Sequence, residues 1–306
     1  MNFSLTDDQA SVMSGLDQLL GQAGENGLQH AVTHVYSAGL DAALAEAGFL
    51  DIAREDGFGP LDAALVVERV ARAIQVVEVG VSALIAPLLP VDVGIRPIAI
   101  LSGDAGGAAR FLPMAKLLVV DRGDHALLLP VDPDTVVPVE TLLAYPFGRL
   151  PEGDSGRGTR FDDIGGVRRR WRIALAAEAA GCMAAALAAI VDHVTSRFAF
   201  GRPLGSFQAI HHRLAMAAET AESTRWLALR AAWSDDDGDA ALAAGFAQSR
   251  IAGFTYDLHQ FAGAMGLTLE FPLHLWTYRL RALASDLGGA SLQARALADA
   301  VWGESA

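Results

Sequence analysis

A chain of 306 residues with 52% hydrophobic and 19% charged side chains can hold two or three packed units and is too apolar to be disordered. Its net charge of −13 argues against nucleic acid and against an anionic membrane surface as partners. The single cysteine, Cys182, lies among alanines and reads as a small buried hydrophobe, compatible with a reducing cytosol. No apolar run free of Pro, Gly and charge reaches the roughly 18 residues of a membrane span, and Met1-Asn2-Phe3 opens no signal peptide, so a cytoplasmic protein is expected.

Residues 1 to about 90 read as helices. Thr6 is placed to cap a helix from Asp7 to about Leu20, with Asp7 and Asp8 at its positive end. A second helix covers Ala38 to Ala47 and stops at Gly48. After the loop Asp56-Gly57-Phe58-Gly59-Pro60, a third runs from Leu61 to about Val77, and Val79 to Ala86 is a short apolar helix closed by Pro87 and Pro90. From about 95 to 165 the texture changes. Leu117–Val120 and Ala126–Pro130 flank Asp121-Arg122-Gly123-Asp124, which is hairpin chemistry, and Thr135–Val139 is another strand. Between Pro90 and Ala115 the pattern gives only a helix-like stretch and the Gly103–Ala108 loop. From about 167 helices return, over Val167–Ala199, Ser206–Trp233, Ala240–Phe261, Leu273–Ser285 and Ser291–Trp302. The expected fold is α+β but mostly α: an N-terminal helical domain (1–92), a shortened middle β-domain (93–166) and a C-terminal four-helix bundle completed by the tail (167–306).

The stretch Arg197–Gln208 (RFAFGRPLGSFQ) interrupts the bundle, because Gly201, Pro203 and Gly205 cannot share one helix. Arg197 and Phe200 stand near the end of one helix, and Gln208 begins the next. A guanidinium fork beside an amide suits a phosphate-bearing ligand. The same residues also fit a helical hairpin whose arginine caps a helix C-terminus.

Arg197, then Phe200-Gly201, Pro203 and Phe207-Gln208, leading into HHRLAMAAE, resembles a motif of the acyl-CoA dehydrogenase family. A second stretch, Gln260-Phe261-Ala262-Gly263-Ala264-Met265-Gly266 followed by Leu269-Glu270-Phe271-Pro272, is similar to that family's Q-x-x-G-G-x-G, acidic, aromatic, Pro; Ala264 is the one departure. The resemblance implies that Arg197, Phe200 and Gln208 contact FAD held by a neighbouring subunit, with Gln260, Gly263 and Gly266 as further cofactor-binding positions. The family's T-E-P…G-S-D and W-x-I-T elements, which wrap the isoalloxazine, have no counterpart in the middle region.

The implied reaction removes a proton from the α-carbon of an acyl-CoA while hydride leaves the β-carbon, so a carboxylate base is needed. The resemblance offers two positions for it. Counting on from Glu270 reaches Leu287, or Gly288 if the turn glycine is matched to Gly289; counting back from the Arg197 turn reaches Trp171. None is a carboxylate. Asp286 adjoins the first position, and Glu178 lies on the face of Trp171 about 10 Å along the helix. A chain with cross-subunit FAD contacts but no base resembles the reduced subunit of heteromeric (α2β2) acyl-CoA dehydrogenases of the steroid side-chain type. In those, FAD is shared across a subunit interface and a second family chain supplies the base for an acyl-CoA substrate. Two alternatives stand beside this: a homo-oligomeric dehydrogenase using Asp286 or Glu178, and a flavin-free scaffold or acyl-CoA-binding module.

Other strings carry less. Gly153-Asp154-Ser155-Gly156 matches a serine-protease nucleophile but lacks any supporting context. Asp235-Asp236-Asp237-Gly238-Asp239 lacks the spacing and closing Glu of a calcium loop and reads as a solvated turn feeding a helix. His211 and His212 are adjacent and diverge on a helix, so no metal site is expected. Arg168-Arg169-Arg170 with Arg172 fits either a solvated helix start or a contact with a CoA phosphate or acidic partner.

Overall fold

The computed structural model describes residues 4–25, 35–103, 106–151 and 158–303. Helix α1 (Asp7–Glu25) opens on a reciprocal cap: the Gln9 amide donates to Thr6 Oγ1 at 3.2 Å, and the Thr6 amide donates to Gln9 Oε1 at 3.0 Å. Helices α2 (Ala38–Glu46) and α3 (Pro60–Ala71) follow. Pro60 sits where a helix needs no donor, and the Asp62 carboxylate accepts the Gly59 N–H at 2.8 Å. The expected continuation of α3 to Val77 is not helical. Backbone pairing wins there, with Val76 bridging Tyr36 and its carbonyl accepting the Ser37 N–H at 2.8 Å. The apolar segment after it is a π-helical turn (Val81–Ile85) and a 3-10 turn (Ala86–Leu88). Its start is held by the buried Glu78 carboxylate, which accepts the Val81 N–H at 2.7 Å.

Two small sheets come next. One has the order β1 (Ile98–Ser102), β3 (Leu117–Asp121), β4 (Ala126–Pro130), β7 (Thr159–Phe161); the other is β2 (Ala109–Arg110), β6 (Phe147–Arg149), β5 (Val137–Val139). The β3–β4 hairpin falls where the Asp121–Asp124 signal places it. Strand β1 corrects the helix-like expectation for this stretch. It pairs parallel to β3, Ile98 opposite Leu117. Ile98, Ala99 and Ile100 are all buried, and a strand covered on both faces shows no alternation to distinguish it from a helix.

The rest is helical: α4 (Ile164–Ser196), α5 (Gln208–Ser234), α6 (Asp237–Ala262), α7 (Leu273–Leu283) and α8 (Gly289–Trp302). Helix α4 is the hub, packed on α3, α5, α6 and α7. It is long and apolar enough to cross a membrane, but 67% of its apolar window is buried inside the protein. Cys182 on it is buried, and burial pushes its thiol up to about 11. Beside it, Gly181 lets α3 and α4 touch. A Cβ there would stand 2.1 Å from the Glu68 carbonyl oxygen and 2.8 Å from the Ala71 Cβ.

The arginines at the start of α4 correct both expectations for them. Arg168 grips Asp121 with two bonds of 2.5 and 2.6 Å, Arg169 reaches Asp235 (3.0 Å) and Asp237 (3.1 Å), Arg170 reaches Asp235 (2.9 Å), and Arg172 donates to Gln293 Oε1 (2.8 Å). They bind the chain to itself, fixing α4 to the end of β3, to the α5–α6 turn and to α8. The acidic turn does feed a helix, since Asp236 caps α6 by accepting the Asp239 N–H at 2.9 Å, but it is an ion-pair partner rather than a merely solvated loop.

Gly181→Ala is expected to destabilise the fold by about 1–3 kcal/mol or more in urea denaturation, the cost of overpacking a filled contact. Gly253→Ala, where nothing lies within 4 Å of the new Cβ, should be neutral or stabilising by up to about 1 kcal/mol.

Candidate functional site

Helix α4 ends where the Arg197 N–H donates to the His193 carbonyl at 2.9 Å. The chain then makes a short hairpin of β8 (Phe198–Ala199) and β9 (Arg202–Pro203). Its two turn residues are both left-handed, Phe200 at φ 54° and Gly201 at φ 80°. That is the mirror-type turn of tight hairpins, which glycine adopts freely and a bulky side chain does not. Phe200 is 93% exposed, touching the Phe207 ring edge-on at 6.1 Å, while the Arg202 guanidinium lies 4.0 Å over Phe207. A strained, exposed aromatic residue at a ligand-suited turn points to function. Arg197 is the C-terminal cap of α4, as the hairpin reading has it, and it closes the helix with its backbone N–H. Its guanidinium is exposed, has no hydrogen-bond partner among the described residues, and adds to burial in lowering the His193 pKa. Gln208, the first residue of α5, is exposed beside it.

The second motif closes α6 at the same end of the bundle. Gln260 is exposed, and Gly263 turns the chain at φ 58° with nothing within 4 Å of where a Cβ would be. Gly266 is different: it is buried, and a Cβ there would sit 2.7 Å from that of Ala262, so its role is close packing. The His193 ring lies 5.2 Å from Phe271, and Arg213 on α5 pairs with Asp257 on α6, so the two motifs are held on one platform.

The positions that the resemblance offers for a base lie elsewhere, between the sheets and the bundle. Trp171 and Leu287 belong to one hydrophobic cluster with Val81, Ile98 and Ile100. Two positions reached by separate counts thus converge in space, and both are apolar. Gly288 follows Leu287 in a turn where Leu287, Gly288 and Gly289 all have positive φ (53°, 80° and 76°). The candidate carboxylates converge too, on a residue that the sequence did not signal. Arg110 of β2 meets Glu178 at 3.2 Å and Asp286 at 2.8 Å. Tyr145 donates its hydroxyl to Glu178 at 2.5 Å, and its ring lies 4.7 Å under the Arg110 guanidinium.

Burial drives the Asp286 carboxyl above its ordinary range, with Arg110 opposing, and lifts Tyr145 well above its own. Burial disfavours the charge of Arg110, but Asp286 and Glu178 outweigh it and raise its pKa. A base must offer a lone pair to a substrate, whereas Glu178 holds both Arg110 and Tyr145 and Asp286 holds Arg110 through one oxygen. The cavity beside them, lined by Glu78, Ile98, Arg110, Trp171 and Glu178 among others, measures about 20 Å³. That holds about one water and is far below the roughly 300–1,000 Å³ of a ligand pocket. Gly153-Asp154-Ser155-Gly156 lies outside the described residues.

A helical layer, two small sheets and a long-helix bundle define the acyl-CoA dehydrogenase type of fold. Over 96% of its length the chain follows a chain of the ChsE4-ChsE5 complex from Mycobacterium tuberculosis (TM-score 0.77, 19% identity, 97% of that chain). It likewise follows the Tcur3481-Tcur3483 steroid ACAD (TM-score 0.75, 22% identity, 94% of this chain and 98% of that one). Residues 169–301 match the family described as acyl-CoA dehydrogenase, C-terminal domain. Acyl-CoA dehydrogenase IpdE2 of Mycolicibacterium smegmatis is 30% identical over 185 residues, which are 58% of this chain and 60% of IpdE2, so the chain spans less than two thirds of that relative. Residues 169–301 thus match the C-terminal domain of the acyl-CoA dehydrogenase family, and the whole chain has the fold of that family.

Arg110→Met leaves two carboxylates facing each other without a cation, and breaking a buried pair costs about 3–5 kcal/mol. A carboxyl whose pKa is raised in the fold favours folding below its unfolded pKa and loses that contribution as pH rises through the folded value. The deficit of the variant in urea denaturation should therefore be smaller at about pH 5 than at about pH 7.5.

Proposed function

We propose that this chain is a subunit of a flavin-dependent acyl-CoA dehydrogenase, working in the cytoplasm, that assembles with a second family chain as α2β2. The observation that carries this reading is the Arg110 cluster. Where the family's base would stand are Trp171 and Leu287, the nearest carboxylates share one cation, Arg110, and the cavity beside them has room for about one water rather than an acyl chain. Catalysis is then the partner's task, acting on a bulky, steroid-type acyl-CoA. The three-part division at residues 92 and 166 belongs to the same proposal.

The bundle end fits a flavin held mainly by that partner. Arg197 offers a fork of donors to a phosphate, Gln208 adds an amide at the N-terminus of α5, and the space around Gly263 admits a close approach of a ligand. Phe200 supplies an aromatic face, with Gln260 beside the glycine turn. Arg197, Phe200, Gln208 and Gln260 would bind and orient FAD there, which would supply the hydride acceptor of the dehydrogenation.

The isolated chain is expected to bind little or no FAD, whereas co-expression with a partner dehydrogenase chain yields a yellow complex. Stoichiometric flavin on the isolated chain would instead support a homo-oligomeric enzyme, and a colourless complex would support a flavin-free scaffold. Arg197→Ala removes a charge-assisted bond worth about 1.5–3 kcal/mol, so it should weaken FAD binding by the complex roughly 10- to 150-fold. Glu178→Gln and Asp286→Asn should each leave turnover of the folded complex within about tenfold of wild type; a loss of about 10²-fold or more would mark that residue as the base.

A further inference from the structure

A second, larger cavity lies far from both clusters. It measures about 500 Å³ and is bounded by the start of α1, by α3 and by the C-terminal half of α5. This volume is within the usual range for small-molecule sites. From Gln208 to Arg225 the distance along α5 is about 25 Å, so the cavity is separate from the flavin-contact end. Leu61, Leu65 and Leu229 form its apolar walls, and the indoles of Trp226 and Trp233 line its side. Trp233 is 65% exposed.

Arg225 is the informative residue. Its Nε is buried without a hydrogen-bond partner, and among the described residues no acceptor reaches its guanidinium, which rests 4.8 Å from the Trp226 ring. Its neighbour Arg230 is neutralised by Asp239 at 3.0 Å. Arg225 thus brings a guanidinium without an ion-pair partner among the described residues to the wall of an apolar cavity. A buried polar group with no partner carries a cost that a ligand anion removes. Indole faces favour a flat or chain-like apolar body.

We propose that this cavity binds a monoanionic amphiphile, an apolar body carrying one carboxylate, with the carboxylate on Arg225 and the body along Trp233 and the leucines. The site is independent of FAD and of the dehydrogenation reading, so it can stand or fall by itself.

The test uses the full chain, alone and in its complex, with decanoate and the neutral decanol as probes, read by indole fluorescence and calorimetry. Wild type should bind decanoate at least about tenfold more tightly than decanol, the scale of one hydrogen bond to a charged group. Arg225→Met, which keeps the apolar stem, should bring the two probes to similar affinity. Trp233→Ala, at an exposed position that does not endanger folding, should weaken both. Equal binding of the two probes to wild type, no binding, or unchanged selectivity in Arg225→Met would overturn the proposal. So would loss of decanoate binding on complex formation, which would assign the groove to a partner chain.

Discussion

Arg110 is the interaction on which the middle of the molecule depends. One guanidinium on a two-residue strand joins the second sheet to α4 through Glu178 and to the turn before α8 through Asp286. Tyr145 closes the set from the same region of the chain by donating to Glu178. Three segments distant in sequence are thus pinned at one point of low solvent exposure. In most folds such a pin would be structural and nothing more. Here it fills the junction between the sheets and the bundle, beside a cavity of about 20 Å³.

The two ends of the bundle divide the labour. At the sheet-facing side the side chains satisfy one another, with the arginines at the start of α4 tied to Asp121, Asp235 and Asp237. At the far end Arg197, Phe200, Gln208 and Gln260 stay exposed.

How much of this was legible in the sequence depended on distance along the chain. The long helices followed their apolar period to within a few residues, and Thr6 and the acidic turn Asp235–Asp239 announced helix starts through local chemistry. Strand β1 was illegible because its residues are buried on both sides. The Arg168–Arg172 cluster was misread because its carboxylates lie far off in sequence, 47 residues away for Asp121 and 66 for Asp235. Counting along two motifs did locate Trp171 and Leu287, which the fold then brings into one cluster. Arg110 could not be found that way, since no local pattern tells which of many arginines a two-residue strand will carry inward.

The hairpin tip has a consequence for how such a chain can drift. A left-handed residue with a side chain costs roughly 1–2 kcal/mol that glycine avoids, and an aromatic ring 93% in water gains almost nothing in return. Glycine or asparagine at position 200 would hold the same turn with less backbone strain. The hairpin tip therefore holds a local backbone strain that burial within the chain does not offset.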